Sequence, residues 1–248
     1  PVVVEERARI MANRDIVLCL DVSGSMSNFG AQVAETFLTL VDSFVGERIA
    51  MSVFNSTSST VFPLTDDYEL VRDRLEEGQR ALGRPGSAAY WSFVGAVDGI
   101  PNQASLIGDG LASCALLFDQ FDAERSRSIL FSTDNALFGV PVYTLPQAID
   151  LAISRGVVVH GLFGEDRNYT GHLEKLEFRN EVERSDGLFF SLDDPSLVEA
   201  IVEDVQSYQL VDMEMEPERV TVDANDTWIR WFFAAVLGIV LVGWRLRA

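Results

Sequence analysis

Short apolar runs alternate along the chain with longer stretches whose apolar residues recur about every 3.6 positions. The runs include DIVLCLD, RIAMSVFN, SILFSTD and GVVVHGLFG, and the amphipathic stretches include AQVAETFLTLVDSFV, YELVRDRLEE and LPQAIDLAIS. Such continuous, β-branched strands are typical of a parallel sheet that helices cover on both faces, because neither face meets water. The pattern therefore predicts a doubly wound, mostly parallel α/β domain over residues 14–209, preceded by a lead-in over residues 1–13.

The stretch RALGRPGSAAYWSFVGAVDGIPNQA departs from this alternation. Its glycine and proline content predicts an excursion over the surface, with an additional helix at AAYWSFVGAV. Three aromatic residues, Tyr90, Trp91 and Phe93, stand in that helix. They either form a partner-binding surface or pack towards the core as in any amphipathic helix, and the sequence leaves both interpretations open.

The far end of the chain is uniformly apolar. From Trp228 to Trp244 it contains no acidic residue, and Trp and Arg residues stand near both edges. This length corresponds to about 25 Å of helix at ~1.5 Å per residue, so residues 228–244 are predicted to form a transmembrane helix, the alternative being a buried C-terminal helix. An acidic tether, residues 210–227, precedes it, and a tail with Arg245 and Arg247 follows at residues 245–248. The positive-inside rule places that tail in the cytoplasm and the large domain outside it.

Charge and composition exclude several classes of function. The net charge is −19, which repels nucleic acid, so none is expected as a partner. Lys175 is the sole lysine and no GxxxxGK[ST] pattern occurs, which argues against a Schiff-base site or a P-loop. Two cysteines, Cys19 and Cys114, are too few for a disulfide framework or a zinc set and are predicted to be small buried core residues. Their presence does not indicate a redox compartment.

The stretch DIVLCLDVSGSMSNFG carries the candidate chemistry. DIVLCL is a predicted strand, so Asp21, Ser23 and Ser25 fall in the loop at its carboxyl end, where open parallel sheets bind ligands. Alternate spacing presents three oxygens towards one point, and Gly24 is expected to let the backbone bend between the serines. Oxygen-only ligation favours a hard cation such as Mg²⁺. The alternative is a set of helix N-caps, since Ser and Asp favour that position.

Two further loops offer oxygen ligands. Ser105 opens an apolar helix, and Asp134 follows another predicted strand. This combination of DxSxS, a second-loop hydroxyl and a third-loop aspartate resembles the metal-ion-dependent adhesion site (MIDAS) of the von Willebrand factor A domain. The resemblance covers about four-fifths of the chain. Ser105 stands where the family has threonine, and Asn135 stands where many members have glycine, a change that a left-handed turn tolerates.

The resemblance implies a non-enzymatic, metal-dependent binding module. In the family, residues at the positions of Ser23 and Ser25 bind the metal directly, those of Asp21 and Asp134 hold it largely through water, and the hydroxyl of the second loop joins or leaves with conformational state. The metal is Mg²⁺, with Mn²⁺ or Ca²⁺ as alternatives. One coordination position stays open for an Asp or Glu of a protein partner.

A C-terminal span after such a domain resembles bacterial membrane-anchored proteins of the Bat (aerotolerance) type, which are encoded with MoxR-like AAA+ ATPases. The resemblance implies an inner-membrane protein with a periplasmic domain, which assembles or matures a complex with such an ATPase and other von Willebrand factor A membrane proteins. Members often carry a membrane hairpin before the domain, and a start at Pro1 fits a chain that begins after it. A structural membrane subunit with a vestigial metal site, or a metal-dependent hydrolase, remains as an alternative function.

Overall fold

The computed structural model describes residues 2–6, 14–97, 104–119, 125–165, 171–212, 219–223, 232, 235–237 and 242–245. The chain divides into two compact units. The larger unit spans Ala12–Asp212, and the smaller one combines Pro1–Met11 with Met213–Ala248. The predicted sites all fall in the larger unit.

A six-stranded sheet forms the centre of the larger unit, in the order β4-β3-β2-β5-β6-β7. Five strands run parallel, and only the edge strand β4 is antiparallel to its neighbour. The mostly parallel sheet predicted from the apolar runs is therefore present, with one antiparallel edge. The strands are β2 (Arg14–Asp21), β3 (Arg48–Phe54), β4 (Ser58–Thr65), β5 (Ser126–Thr133), β6 (Val157–Phe163) and β7 (Phe189–Ser191).

Helices connect these strands and cover both faces of the sheet. Local signals mark their starts, as at Thr144, whose side chain forms a capping box with Gln147. The additional helix predicted around Trp91 is present as α3. The helices are α1 (Gly30–Ser43), α2 (Tyr68–Leu82), α3 (Ala88–Val94), α4 (Ile107–Ala115), α5 (Leu145–Ser154), α6 (His172–Arg184) and α7 (Leu197–Asp212), and a 3₁₀ turn at Ser25–Asn28 precedes α1.

Two hydrophobic clusters lie on the two faces of the sheet. Alternate residues of β2 enter different clusters, Leu18 and Leu20 packing with α1, α2, α3 and α7, and Val17 and Cys19 packing with α4, α5 and α6. Burial on both faces explains why β2 is an unbroken apolar run instead of an alternating one. It also fixes the register of the strand, so that Asp21 is presented at its carboxyl end.

Cys19 and Cys114 are both fully buried, as predicted, but they also form a disulfide. The bond joins β2 to α4, with Cα atoms 6.2 Å apart and a sequence separation of 95 residues. The sequence-based interpretation of unpaired core cysteines is therefore corrected. Two isolated cysteines so far apart in sequence carry no spacing signal, and only the packing of α4 on the sheet brings them together.

The smaller unit contains a two-stranded antiparallel sheet of β1 (Val2–Glu6) and β8 (Arg219–Asp223). These strands form in the segments that the sequence analysis assigned to the lead-in and the acidic tether. The predicted transmembrane helix at residues 228–244 lies mostly outside the described residues. Within the described part of the chain, no helix has both the length and the apolar character needed to cross a membrane.

Candidate metal centre

The carboxyl end of β2 presents Asp21 and two serine hydroxyls. Asp21 is fully buried, and its Oδ1 accepts a hydrogen bond of 2.8 Å from the backbone N–H of Ser23. The Oγ atoms of Ser23 and Ser25 lie 3.2 Å apart. Gly24 between them has φ −59° and ψ −36°, an ordinary helical conformation, so the bend does not depend on glycine as the sequence analysis expected. The 3₁₀ turn that begins at Ser25 fixes the position of that hydroxyl.

The loop after β5 places Asp134 beside this group. Thr133 Oγ1 donates a 2.7 Å hydrogen bond to Oδ2 of Asp21, which ties the two strand ends together. Asp134 is fully buried, and its Oδ1 accepts from the backbone N–H of Ala136 at 3.0 Å. Asn135 has a φ of 53°, the left-handed conformation predicted for it. Its side chain donates to the backbone carbonyl of Glu174, which fastens the loop to α6.

Ser105 reaches the same edge of the sheet from the loop before α4. Its backbone exchanges two hydrogen bonds with Phe138, at 2.7 and 3.1 Å, so the second ligand loop is bridged to the third. The next residue, Leu106, donates from its backbone N–H to the carbonyl of Asn55, just after β3. The Ser105 side chain is buried, and its Oγ has no hydrogen-bond partner among the described residues. An unpartnered buried hydroxyl is costly, and a ligand bound at this edge of the sheet would offset that cost.

The electrostatic environment of Asp21 also favours a bound ligand. Burial, with the negative charge of Asp134 as the next cause, raises the pKa of its carboxyl to about 7, against weaker hydrogen bonds that lower it. At the opposite end of β2, Asp15 is equally buried, yet Arg48 and Arg125 pair with it. Although burial alone would raise the pKa of Asp15, the hydrogen bonds from these arginines hold it below its usual value. The hydrogen bonds that Asp21 accepts come only from neutral donors among the described residues.

These residues fit a hard divalent cation. The donor set consists of two carboxylates and neutral hydroxyls, the oxygen ligands that Mg²⁺, Mn²⁺ and Ca²⁺ prefer. A cation would offset the repulsion between Asp21 and Asp134 and would supply the partner that Ser105 Oγ lacks. The described residues contain no group of three or more His, Cys, Asp or Glu side chains able to hold a metal.

The structure treats the three aromatic residues of α3 differently. Tyr90 is buried and belongs to the core cluster, and Phe93 is partly buried and packs against it. Trp91 is 48% exposed. The core-packing interpretation therefore applies to Tyr90 and Phe93, and of the three only Trp91 offers a large exposed surface.

Thr133 links Asp21 to the loop of Asp134, and it was not among the residues predicted from the sequence. Its hydroxyl donates to Asp21 and accepts from the backbone N–H of Asn135 at 3.0 Å. The one available signal was a second hydroxyl residue directly before a strand-end aspartate. Exposed apolar residues at 137–143 were also missed, because a loop of mixed glycine, proline and valine has no period that predicts its exposure.

Comparison with known proteins supports this arrangement. Residues 16–136 match the family model of the von Willebrand factor type A domain. No curated protein sequence matches the chain. The fold is similar to BatB from Bacteroides thetaiotaomicron, with 18% identity, a TM-score of 0.60, and coverage of 79% of this chain and 99% of that one.

Two other solved structures are informative. An aerotolerance-related membrane protein from Bacteroides fragilis has 19% identity and a TM-score of 0.57, over 78% of this chain and 99% of that one. Proximal thread matrix protein 1 from the mussel byssus, solved with a zinc-occupied MIDAS motif, has 19% identity and a TM-score of 0.55, over 84% of this chain and 48% of that one. The family match and the sheet order agree, and residues 16–136 carry the match to a von Willebrand factor type A domain.

Proposed function

We propose that this domain is a metal-dependent protein-binding module, in which Asp21, Ser23, Ser25, Ser105 and Asp134 hold Mg²⁺ and a partner protein supplies an Asp or Glu to complete the coordination. Bound there, Mg²⁺ supplies a Lewis-acidic centre that attracts a further carboxylate. The observation that carries the proposal is the contrast along β2: arginines neutralise buried Asp15, whereas among the described residues buried Asp21 accepts hydrogen bonds only from neutral donors.

The ligand residues leave the bound cation with affinity for an acidic group. Asp21 and Asp134 supply at most two negative charges, and the serine hydroxyls supply none. Because Ser25 is only partly buried, the centre remains accessible from solvent on that side. A carboxylate of a partner therefore completes the site, whereas a neutral side chain gives a weaker bond.

Membrane attachment and a role beside a MoxR-like AAA+ ATPase belong to the same proposal. The apolar segment from Trp228 to Trp244 and its trailing arginines support an inner-membrane anchor with a cytoplasmic C-terminus. The fold is shared with BatB and with an aerotolerance-related membrane protein. The buried disulfide between Cys19 and Cys114 fits a periplasmic domain, because such bonds persist in oxidising compartments.

We favour binding over catalysis at this centre. The hydroxyls of Ser23 and Ser25 lie within hydrogen-bond distance of each other. Of the two histidines, His160 is fully buried in β6 and accepts a hydrogen bond from Leu188, and His172 begins α6. A hydrolase would need a base poised beside the nucleophile, and both carboxylates are better explained as metal ligands.

Magnesium titration of the full chain tests the proposal. A ligand that binds only the folded state raises the free energy of unfolding by RT ln(1 + [L]/Kd), about 2.7 kcal/mol at a hundredfold excess over Kd. We expect this increase in the wild type and its loss in Ser105→Ala and Asp134→Asn. Equal increases in all three proteins would show that the cation binds elsewhere.

A further inference from the structure

The segment between Asp134 and α5 exposes an unusual amount of apolar surface. Five large side chains within seven positions are between 40% and 92% exposed, and we call them the apolar rim: Leu137, Phe138, Val140, Val142 and Tyr143. Other exposed large apolar residues in the described part of residues 12–212 occur one or two at a time along the sequence. Single exposed apolar residues are normal in soluble domains, whereas a group of this size indicates an interaction surface.

Hydrogen bonds hold the backbone of this segment in place. Phe138 exchanges two backbone hydrogen bonds with Ser105, and the Asp109 carboxylate accepts from the backbone N–H groups of Val142 and Tyr143 at 3.0 and 2.7 Å. Gly139 has a φ of 107°, and a Cβ there would lie 2.8 Å from Ala104 Cβ. The loop is therefore fixed at several points while its apolar side chains stay in solvent. A surface ordered before binding loses little conformational entropy when a partner docks.

The rim is continuous with the proposed metal centre. Leu137 follows Asp134 by three positions, and Phe138 is paired directly with Ser105, so the rim continues the loop of Asp134 and is bridged to the loop of Ser105. A partner whose carboxylate reaches the metal therefore places its neighbouring residues against the rim. This step rests on the proposed function.

The distribution of charged residues indicates which kind of partner can bind the apolar rim. The chain has a net charge of −19, which opposes an acidic segment over most of the surface. Residues 135–149, which include the whole rim, contain no charged side chain. An acidic residue flanked by apolar side chains meets no charged side chain within this segment and gains apolar contacts there. Anionic lipid is disfavoured as an occupant, because the segment has no Lys or Arg to attract it.

We propose that the apolar rim is the specificity surface of the metal centre, and that it binds a partner segment in which large apolar side chains stand beside the coordinating Asp or Glu. The metal then supplies attraction for any carboxylate, and the rim selects among them. Aromatic and aliphatic anchors in such positions usually account for most of the binding energy of a small interface.

A random twelve-residue peptide library selected on the full chain tests this proposal. Selections are run in Mg²⁺ and in chelator, and the most enriched peptide is synthesised and titrated. We expect enrichment of Asp or Glu with Leu, Ile, Phe or Trp beside it, in Mg²⁺ only. The variant Leu137→Ser/Phe138→Ser/Val140→Ser should bind that peptide roughly ten- to a hundredfold more weakly, since burial of each large apolar side chain favours binding.

Matched controls separate the possible failures. Val45→Ser/Leu173→Ser removes two side chains that are 79% and 77% exposed elsewhere, and it should bind the peptide as the wild type does. The rim variant should keep the full magnesium-induced stabilisation. Metal-dependent enrichment of acidic peptides with no apolar neighbours would overturn the rim proposal alone, whereas enrichment unaffected by chelator would overturn the proposed function.

Two further measurements test whether a second copy of the chain or a lipid surface binds the apolar rim. If sedimentation shows that the wild type self-associates and the rim variant does not, the rim binds a second copy and the proposal is wrong. If the wild type, but not the rim variant, binds phosphatidylglycerol vesicles, the rim is a lipid contact and the proposal is also wrong. We expect neither difference.

Discussion

Two aspartates on one strand show how this domain treats buried charge. Asp15 and Asp21 stand at opposite ends of β2, and both are fully buried. Arg48 and Arg125 neutralise Asp15, so it stabilises the fold without any ligand. Asp21 faces Asp134, so it costs stability until a cation binds. The same residue type is structural at one end of the strand and functional at the other.

Matched substitutions of these two residues should therefore have opposite effects. Asp21→Asn removes a buried charge that has no cationic partner among the residues that the structure describes, so the free energy of unfolding without metal should stay equal or rise, and the stabilisation by Mg²⁺ should vanish. Asp15→Asn removes the buried carboxylate that Arg48 and Arg125 share, leaving Arg48 with Asp119, and should cost about 3–5 kcal/mol, while the stabilisation by Mg²⁺ persists. Urea denaturation with and without Mg²⁺ measures both. Loss of metal stabilisation in Asp15→Asn, with retention in Asp21→Asn, would contradict this account.

His160 should make stability depend on pH. Burial lowers its pKa to about 4, from an ordinary value near 6.5. Its Nδ1 accepts from the Leu188 N–H at 3.2 Å, so the neutral ring carries its proton on Nε2, 3.6 Å from Asp204 Oδ2. Below pH 6.5 this histidine binds a proton in the unfolded chain but not in the folded chain, so the free energy of unfolding falls as the pH falls towards 4.

The measurement compares the wild type with His160→Asn, which keeps an acceptor near the Leu188 N–H. Between pH 7 and pH 5 the wild type should lose about 2 kcal/mol of unfolding free energy that the variant retains. Titrating groups that do not contact His160 contribute equally to both proteins and cancel in the difference. Parallel pH profiles would mean that Asp204 stabilises the protonated imidazole and that its pKa is not lowered.

At the residue level, the sequence predicted much of the site and missed its connections. Loop positions together with the resemblance to the MIDAS motif pointed to Asp21, Ser23, Ser25, Ser105 and Asp134 as one set, and the structure brings their loops to one edge of the sheet. The role of Thr133 was not predictable, since the hydrogen bond to Asp21 spans 112 positions and depends on how β2 pairs with β5.

Among the structural elements, β2 and α4 are linked by a covalent bond. The disulfide between Cys19 and Cys114 joins them, and these elements adjoin Asp21 and Ser105 respectively. The disulfide therefore holds together the two elements that adjoin two of the three ligand loops. Because it closes a loop of 95 residues, it also removes much entropy from the unfolded chain.

Removal of this disulfide should destabilise the domain substantially. Cys19→Ala/Cys114→Ala should lower the free energy of unfolding by about 2–5 kcal/mol, measured by urea denaturation. Reductant added to the denatured wild type should produce a similar loss, whereas it should leave the double variant unchanged. A wild type whose stability is the same with and without reductant would show that the two sulfurs are not bonded in solution.

The elements themselves were largely predictable, because their period is a local property. Apolar runs gave the strands of the main sheet, and LPQAIDLAIS coincides with α5 at Leu145–Ser154. Strands β1 and β8 were not predicted, since each has five residues and they pair across almost the whole chain. The helix after Ser105 ends at Ala115, earlier than the apolar pattern of LIGDGLASCALLFDQF suggests.

For the whole molecule, the sequence predicts a membrane anchor at residues 228–244. Deletion of the residues after Asp226 should release the protein from the membrane fraction, because the apolar segment and the arginines near it are removed. Fractionation of cells that express either form measures this. In intact spheroplasts an added protease should digest the domain of the full chain. Protection of the domain until lysis would reverse the orientation.

Net charge and the metal centre make opposing demands on any acidic partner. The charge of −19 repels such a partner at long range, so capture should depend on the metal and not on bulk electrostatics. Moderate salt, which screens charges beyond about 8–10 Å, should therefore weaken capture much less than a chelator does. The salt dependence is measured as the amount of a partner retained from a membrane extract at low and at moderate salt. Loss of capture at moderate salt with Mg²⁺ present would contradict a metal-dependent contact.

Capture of a partner from detergent-solubilised membranes tests the central claim most directly. The immobilised full chain is compared with Asp21→Asn and Ser25→Ala in Mg²⁺, and the wild type is also tested in chelator, with the amount of each retained protein quantified. The account predicts a partner that the wild type retains in Mg²⁺ and that chelation or either substitution releases to a similar extent. A partner retained equally in chelator and by both variants would remove the metal centre from the mechanism of binding.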